Sequence, residues 1–223
     1  MSRRPVLAVA HRAGNSLTEL RRAAAARVDL IEADVHLYRG RLEVRHSKSI
    51  PLLPWLWDRW YLEPKRASRL QLPDVLAEIE PRAPLMLDLK GPHPGLAPAV
   101  AGLLRALDPV HEVTVCTRHW WMLPSFAGLD HVRVVHSARN ARELARLRRR
   151  LTRRPTFGVS MHRSLVSRDV VAELHRHAEV VMTWPVSTPD ELGDVLDLGV
   201  TGVISDYLEV LEPLLDGPGP VRG

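Results

Sequence analysis

Residues 30–47 read LIEADVHLYRGRLEVRHS, and this stretch begins with an apolar run that carries two acidic residues. Such a run is typical of a buried strand. Side chains two residues apart on a strand point to the same face, so Glu32 and Asp34 are predicted to lie side by side while Ala33 faces away. Two like charges on one face repel each other, and we therefore expect a counter-charge beside them.

Seven more apolar runs of this kind occur along the chain, and segments with helical periodicity separate them. The predicted strands cover residues 6–11, 30–35, 85–90, 113–117, 132–137, 157–161, 180–184 and 202–206. The predicted helices cover residues 16–28, 72–80, 95–107, 121–129, 140–151, 167–178, 188–199 and 207–215. Eight alternating strand–helix units predict an α/β fold in which a parallel sheet closes into a (β/α)₈ TIM barrel. An open doubly wound sheet is the alternative, but no GxGxxG follows the first strand.

Length and composition agree with one barrel domain spanning residues 1–223, since the chain is 45% hydrophobic and has no long linker. Its formal charge of +5 comes mostly from arginine, which favours anionic partners. Cys116 is the only cysteine, so no internal disulfide is possible. The first apolar run is too short for a signal peptide or a membrane span, and a soluble, cytoplasmic protein is expected.

The barrel prediction places candidate functional residues at the carboxyl ends of the strands, where TIM barrels carry their active sites. Glu32 and Asp34 lie on the second strand, and Asp88 lies near the end of the third. Three converging carboxylates are the oxygen ligands that a hard divalent cation such as Mg²⁺ or Ca²⁺ prefers. The alternative is that the first two carboxylates are solvated or paired with Arg39 or Arg41.

Two histidines supply groups that exchange protons near neutral pH. His11 closes the first strand, and His46 lies at the tip of GRLEVRHS, which is predicted to be a short extra strand that returns over the barrel mouth. Lys90 shares the face of Asp88 and could neutralise negative charge on a bound phosphate. Structural roles are expected for His93, His111, His131, His136, His162, His175 and His177.

Four stretches then carry a resemblance to a known family. AHRAGNSL (residues 10–17), IEADVHLYRGRLEVRHS (31–47), LMLDLKG (85–91) and VVMTWPVSTPDELGDVLDLGVTGVISDY (180–207) resemble the glycerophosphodiester phosphodiesterase family in order and spacing. The resemblance implies a metal-dependent enzyme that cleaves glycerophosphodiesters to an alcohol and a phosphate monoester or cyclic phosphate. The tryptophans that follow His46 add lysophospholipids to the expected substrates. The roles that it implies are catalysis by His11 and His46, phosphate binding by Arg12 and Lys90, a pocket wall at Trp184, and metal binding by Glu32, Asp34 and Asp88.

The chain departs from the family pattern at three positions. Gly14 stands where the family has Glu in its first loop, Ser47 follows the second histidine in place of Asp, and Asp88 replaces a common Glu. The last two features are similar to the sphingomyelinase D branch of the phospholipases D, which normally carries disulfides that Cys116 alone cannot form. A phospholipase D or lyase of that branch is therefore one alternative. A non-catalytic barrel that binds a phosphodiester or a membrane is another.

Tryptophans cluster directly after His46, in PLLPWLWDRWYLEP (residues 51–64). Trp120 and Trp121 follow the fourth strand and are expected at the same rim of the barrel. Amphipathic aromatics suit an acyl chain or peripheral contact with a membrane, whereas the alternative is a lid packed over the barrel. The basic segment 142–154 is predicted to be an outer helix that could also attract anionic lipid, and nucleic acid is not expected as a partner because no aromatics interleave its charges.

Overall fold

The computed structural model describes residues 6–50, 53–58, 61–65, 67, 69–79, 84–106 and 112–215, and all structural statements refer to these. The strands in this part of the chain are β1 (Leu7–Ala10), β2 (Leu30–Tyr38), β3 (Arg41–Val44), β4 (Lys48–Ser49), β5 (Trp55–Asp58), β6 (Tyr61–Pro64), β7 (Leu85–Leu89), β8 (Val113–Thr117), β9 (Val132–Ala138), β10 (Thr156–His162), β11 (Ala178–Trp184) and β12 (Gly202–Ser205). The helices are α1 (Leu17–Ala25), α2 (Leu72–Glu78), α3 (Leu96–Arg105), α4 (Ala141–Leu151), α5 (Arg168–Leu174), α6 (Pro189–Asp197) and α7 (Leu208–Leu215).

Eight of the strands form a closed parallel barrel in the order β1-β12-β11-β10-β9-β8-β7-β2. Pairing of Val9 with Leu30 and of Ala10 with Ile31 joins β1 to β2 and closes the ring. All eight barrel strands coincide with the predicted runs, so the TIM-barrel prediction is confirmed. None of the described helices has the length and hydropathy needed to cross a membrane.

The helices cover the outside of the barrel, and several of them begin at a polar N-cap residue. The side chains of Asn140, Ser167 and Thr188 each accept a hydrogen bond from a backbone amide in the first turn. The basic helix α4 buries its three leucines against the barrel, as predicted. The helix predicted over 121–129 is wrong in type, because Trp120–Phe126 forms a 3₁₀ helix that contains Pro124, which has no amide hydrogen to donate.

The core has two layers. The larger one lies between the strands and the surrounding helices. The smaller one is a separate apolar cluster formed by Val9, Leu30, Met86, Cys116, Val135, Met182 and Ile204. Leu30 lies on the same strand face as Glu32, and Met86 lies on the same strand face as Asp88. The carboxylates therefore lie directly above this apolar cluster. The barrel interior is therefore packed below the site.

The segment between β2 and β7 leaves the barrel and builds two smaller structures. β3 pairs antiparallel with the end of β2, with Val35 opposite Val44, which confirms the predicted extra strand. β4, β5 and β6 form a separate antiparallel sheet in which Trp57 lies opposite Leu62. This β5–β6 hairpin occupies the tryptophan-rich stretch, of which Trp60 lies outside the described residues.

Candidate metal centre and active site

The three predicted metal ligands converge at the barrel mouth. One oxygen from each of Glu32, Asp34 and Asp88 lies within 4.8 Å of the other two. Strand register explains part of this, because Asp34 and Asp88 are direct neighbours in the β2–β7 pair. Glu32 and Asp34 are only 2% and 0% exposed, so the alternative in which they are solvated is wrong.

Lys90 supplies the counter-charge within this cluster. Its Nζ lies 2.7 Å from Asp34 Oδ1 and also contacts Asp88 Oδ2. Burial tends to lower the pKa of Lys90, but the surrounding carboxylates raise it well above its ordinary value. The alternative in which Arg39 or Arg41 pairs with the carboxylates is therefore not what the structure shows, because Lys90, which directly follows β7, forms the ion pair.

One lysine does not balance three carboxylates, and the pKa values show the imbalance. Burial raises the pKa of Asp34, but Lys90 and a hydrogen bond from Asn15 outweigh burial and hold it at about 2. Burial and the charge of Asp34 raise the pKa of Glu32 to about 8. Burial also raises the pKa of Asp88. A second cation beside these oxygens would remove the repulsion, so the donor set fits a hard divalent metal ion.

A 3₁₀ turn after β1 fixes two of the carboxylates. The Asn15 side chain donates to Asp34 Oδ2 and accepts from the Asp34 amide, both at 2.8 Å. The Arg12 amide donates to Glu32 Oε2 at 2.6 Å, from a backbone with a φ of 58°. Gly14 lies so close to β2 that a Cβ there would be 2.6 Å from the Cβ of Ala33. The sequence singled out Gly14 only as a departure from a pattern, whereas its role is to let the turn reach β2.

His11 lies beside the carboxylates and is held by a second acid. Its Nδ1 is 2.8 Å from Asp206 Oδ1, and its Nε2 is 4.0 Å from Glu32 Oε2. Burial lowers the pKa of His11, but Glu32 and Asp206 together raise it above its ordinary value. Because Asp206 accepts a hydrogen bond from Nδ1, the Nε2 atom is left to exchange a proton on the side of the three carboxylates.

His46 has a matching arrangement. Its Nδ1 lies 2.8 Å from Asp58 Oδ1, which belongs to β5 of the hairpin. The Arg45 amide donates to the Asp34 carbonyl at 3.0 Å, so His46 follows a residue that is bonded directly to the carboxylate strand. Asp206 and Asp58 were not among the predicted site residues. Asp206 ends the last strand motif, GVISD, and could have been found there, whereas Asp58 had no local signal.

The remaining predicted residues lie at the same rim. Arg12 Nε is buried and has no hydrogen-bond partner among the described residues. Trp184 ends β11, opposite His162 in register, and its ring meets the His162 ring edge-on at 5.1 Å. Trp121 is 53% exposed, whereas Trp120 is buried and donates from Nε1 to the Ser137 carbonyl, so Trp120 packs against the barrel and Trp121 does not.

Solved structures with this architecture include glycerophosphodiester phosphodiesterases. The enzyme of that name from Thermotoga maritima matches with a TM-score of 0.73 and 15% identity over 94% of this chain and 98% of its own. A phosphodiesterase from Oleispira antarctica, solved with the product sn-glycerol-3-phosphate, matches with a TM-score of 0.73 and 17% identity over 95% and 97% of the two chains.

The same fold also occurs with other chemistry. Tryptophan synthase from Mycobacterium tuberculosis matches with a TM-score of 0.57 and 15% identity over 96% of this chain and 91% of its own. No protein-family model and no curated protein sequence matches this chain. The chain therefore has the (β/α)₈ barrel fold that the solved glycerophosphodiester phosphodiesterases share.

Proposed function

We propose that the protein is a metal-dependent phosphodiesterase of the glycerophosphodiester type. The observation that carries the proposal is the cluster of three buried carboxylates within 4.8 Å of one another. A histidine–aspartate pair borders that cluster, and a second such pair follows the residue bonded to the Asp34 carbonyl. A binding protein has no need of two oriented proton carriers, whereas cleavage of a phosphodiester needs a base and an acid.

Glu32, Asp34 and Asp88 are the proposed ligands of one divalent cation, Mg²⁺ or Ca²⁺. A cation in this position would polarise a phosphate oxygen and lower the pKa of a hydroxyl bound beside it. Asn15 and the Arg12 amide hold two of the proposed ligands in place. The turn after β1 therefore orients Glu32 and Asp34.

His11 and His46 are the proposed base and acid. One takes the proton of the substrate hydroxyl vicinal to the ester while that oxygen forms a bond to phosphorus. The other gives a proton to the alcohol oxygen as its bond to phosphorus breaks, which leaves a cyclic phosphate. Water then opens the ring with the two roles exchanged. Asp206 and Asp58 fix the tautomers by accepting from Nδ1, which leaves both Nε2 atoms available.

Arg12 and Lys90 are the proposed phosphate contacts, and Trp184 is a proposed wall of the pocket. The buried Arg12 Nε has no hydrogen-bond partner among the described residues, so it can donate a hydrogen bond to a bound phosphate. Lys90 contacts two of the carboxylates, and neutralising part of their charge would let a bound phosphate approach.

The proposed substrates are glycerophosphodiesters or lysophospholipids, and phosphorus NMR of the products tests this directly. The protein is incubated with glycerophosphocholine, lysophosphatidylcholine and sphingomyelin, each with Mg²⁺, with Ca²⁺ and with EDTA. We expect a phosphate monoester or cyclic phosphate that appears only with the cation. Cleavage of sphingomyelin alone would favour the sphingomyelinase D type, and no release from any substrate would favour the non-catalytic barrel.

His11→Ala and His46→Ala variants complete this test. Each is expected to lower the turnover number by about 10²–10⁴-fold, which is the usual contribution of a general acid or base. Near wild-type turnover in both folded variants would contradict the proposed mechanism.

A further inference from the structure

The β5–β6 hairpin has two faces of opposite character. Trp55 and Trp57 alternate with Leu56 and Asp58 along β5. The tryptophans are 41% and 48% exposed, whereas Leu56 is 1% exposed and Asp58 contacts His46. The inner face of β5 therefore belongs to the candidate active site, and its outer face is open.

The open face is apolar. Leu62 lies opposite Trp57 across the hairpin and is 56% exposed, and Leu53 just before β5 is 51% exposed. We call Leu53, Trp55, Trp57 and Leu62 the Trp patch. The only other large apolar side chains with comparable exposure among the described residues are Trp121 and Tyr207. A concentration of this kind on one small element marks an interaction surface.

The size of the Trp patch argues against a stable protein partner. Half-exposed tryptophan and leucine side chains leave on the order of 300–400 Å² of open apolar surface. A standard protein–protein interface buries about 800 Å² on each partner, of which a little more than half, about 450 Å², is apolar, so the patch falls short of that apolar area. A lipid surface sets no such minimum, and tryptophan is favoured at the boundary between headgroups and acyl chains.

The positive charge of the segment around the hairpin favours an anionic lipid surface. Residues 48–69, which contain the hairpin, include five basic residues and two acidic ones in the sequence. One of the two acids is Asp58, which is occupied with His46. Basic residues beside an apolar aromatic element are attracted to anionic headgroups.

We propose that the Trp patch docks the protein on an anionic lipid surface, with the active-site mouth beside the membrane. Trp57 faces outward and the next residue, Asp58, faces His46, so the docking element and the element that orients His46 are the same strand. The benefit of docking, which is access to a phosphodiester held in a lipid surface, rests on the proposed function. Binding to the lipid surface can be measured independently of catalytic activity.

The experiment is cosedimentation of the full chain with vesicles. One set is phosphatidylcholine with about one third phosphatidylglycerol, and the other is phosphatidylcholine alone. The test variant is Trp55→Ser combined with Trp57→Ser, and the matched control is Trp121→Ser, which removes a tryptophan of similar exposure at the barrel rim but outside the hairpin. We expect the wild type and the control to bind the anionic vesicles, with partition at least about tenfold lower for the double variant.

Three results of the vesicle experiment would overturn the inference. They are undiminished vesicle binding by the double variant, absence of binding by the wild type, and equal binding to both vesicle sets. A concentration-dependent dimer that the double variant loses, measured by analytical ultracentrifugation, would also overturn it by showing a second copy on the patch.

A soluble substrate separates this inference from the proposed function. The double variant is expected to cleave glycerophosphocholine at the wild-type rate, which also shows that it is folded. Vesicle binding without any cleavage by the wild type would refute the proposed function alone, whereas cleavage without vesicle binding would refute the docking inference alone.

Discussion

Acid is expected to destabilise the protein through one buried histidine, His136. Arg150 Nε lies 3.1 Å from His136 Nε2, and Thr156 Oγ1 lies 3.2 Å from His136 Nδ1. A guanidinium only donates, so Nε2 must accept and Nδ1 must carry the proton. Thr156 Oγ1 accepts a hydrogen bond from Nδ1 and donates one to the Val134 carbonyl. The network accommodates neutral His136 and has no place for a second ring proton.

The size of the effect follows from the pKa. Burial first, and the charge of Arg150 second, lower the pKa of His136 from 6.5 to about 4. Between these values the unfolded chain binds a proton at this residue and the folded chain does not, so stability falls as pH falls through this range. The difference corresponds to about 3 kcal/mol of unfolding free energy between pH 7 and pH 4.

Urea-induced unfolding of the wild type and of His136→Gln, followed by circular dichroism across this pH range, measures the effect. Glutamine can accept from Arg150 and donate to Thr156, but it does not titrate. Other ionisable groups, including His11, contribute equally to both proteins and cancel in the comparison. We expect the wild type to lose about 3 kcal/mol relative to the variant as the pH falls from 7 to 4. A difference that is constant with pH would refute the reasoning.

Three more predictions concern the site. Asp206→Asn is expected to lower kcat by at least about 10²-fold with little change in KM, because the amide can donate to Nδ1 as well as accept from it and so no longer fixes the tautomer of His11. A change in KM as large as the change in kcat would contradict this. Gly14→Ala is expected to cost about 1–3 kcal/mol in urea unfolding and to lower activity by displacing the turn from β2, whereas Gly102→Ala, where a Cβ meets nothing within 4 Å, is expected to do neither. Asp34→Asn is expected to abolish calorimetric binding of Mg²⁺ or Ca²⁺, and unchanged affinity would exclude this carboxylate as a ligand.

The barrel could be predicted because its strands are buried on both faces and therefore read as short apolar runs bounded by polar segments. The same logic located Glu32, Asp34 and Asp88, since an acid within such a run must face the mouth. The hairpin could not be predicted in this way. Its tryptophans alternate along β5 as in a strand, but the apolar side chains at 55 and 57 face outward, opposite to what burial predicts.

Side-chain contacts between residues that are distant in sequence could not be predicted either. The pattern placed Lys90 on the face of Asp88 but did not show that its Nζ would lie between two carboxylates. Only closure of the ring through β1, β2 and β12 brings His11 next to both Glu32 and Asp206. The barrel prediction fixes which strands are neighbours but not which side-chain atoms will meet, so it can name the acids and bases of a site before it can pair them.

Asp206 and Asp58 hold His11 and His46 in similar ways, and this bears on the proposed cleavage reaction. Asp206 follows the last barrel strand and Asp58 ends a strand of the hairpin outside the barrel, yet each bonds Nδ1 of its histidine at 2.8 Å. Equivalent pairs of different origin suit a reaction in which acid and base exchange roles, as ring formation and ring opening require. The pairs differ in one respect, because the barrel holds Asp206 and a hairpin with an open outer face holds Asp58. Of the two proposed proton carriers, His46 is therefore the one whose position a contact outside the barrel can alter.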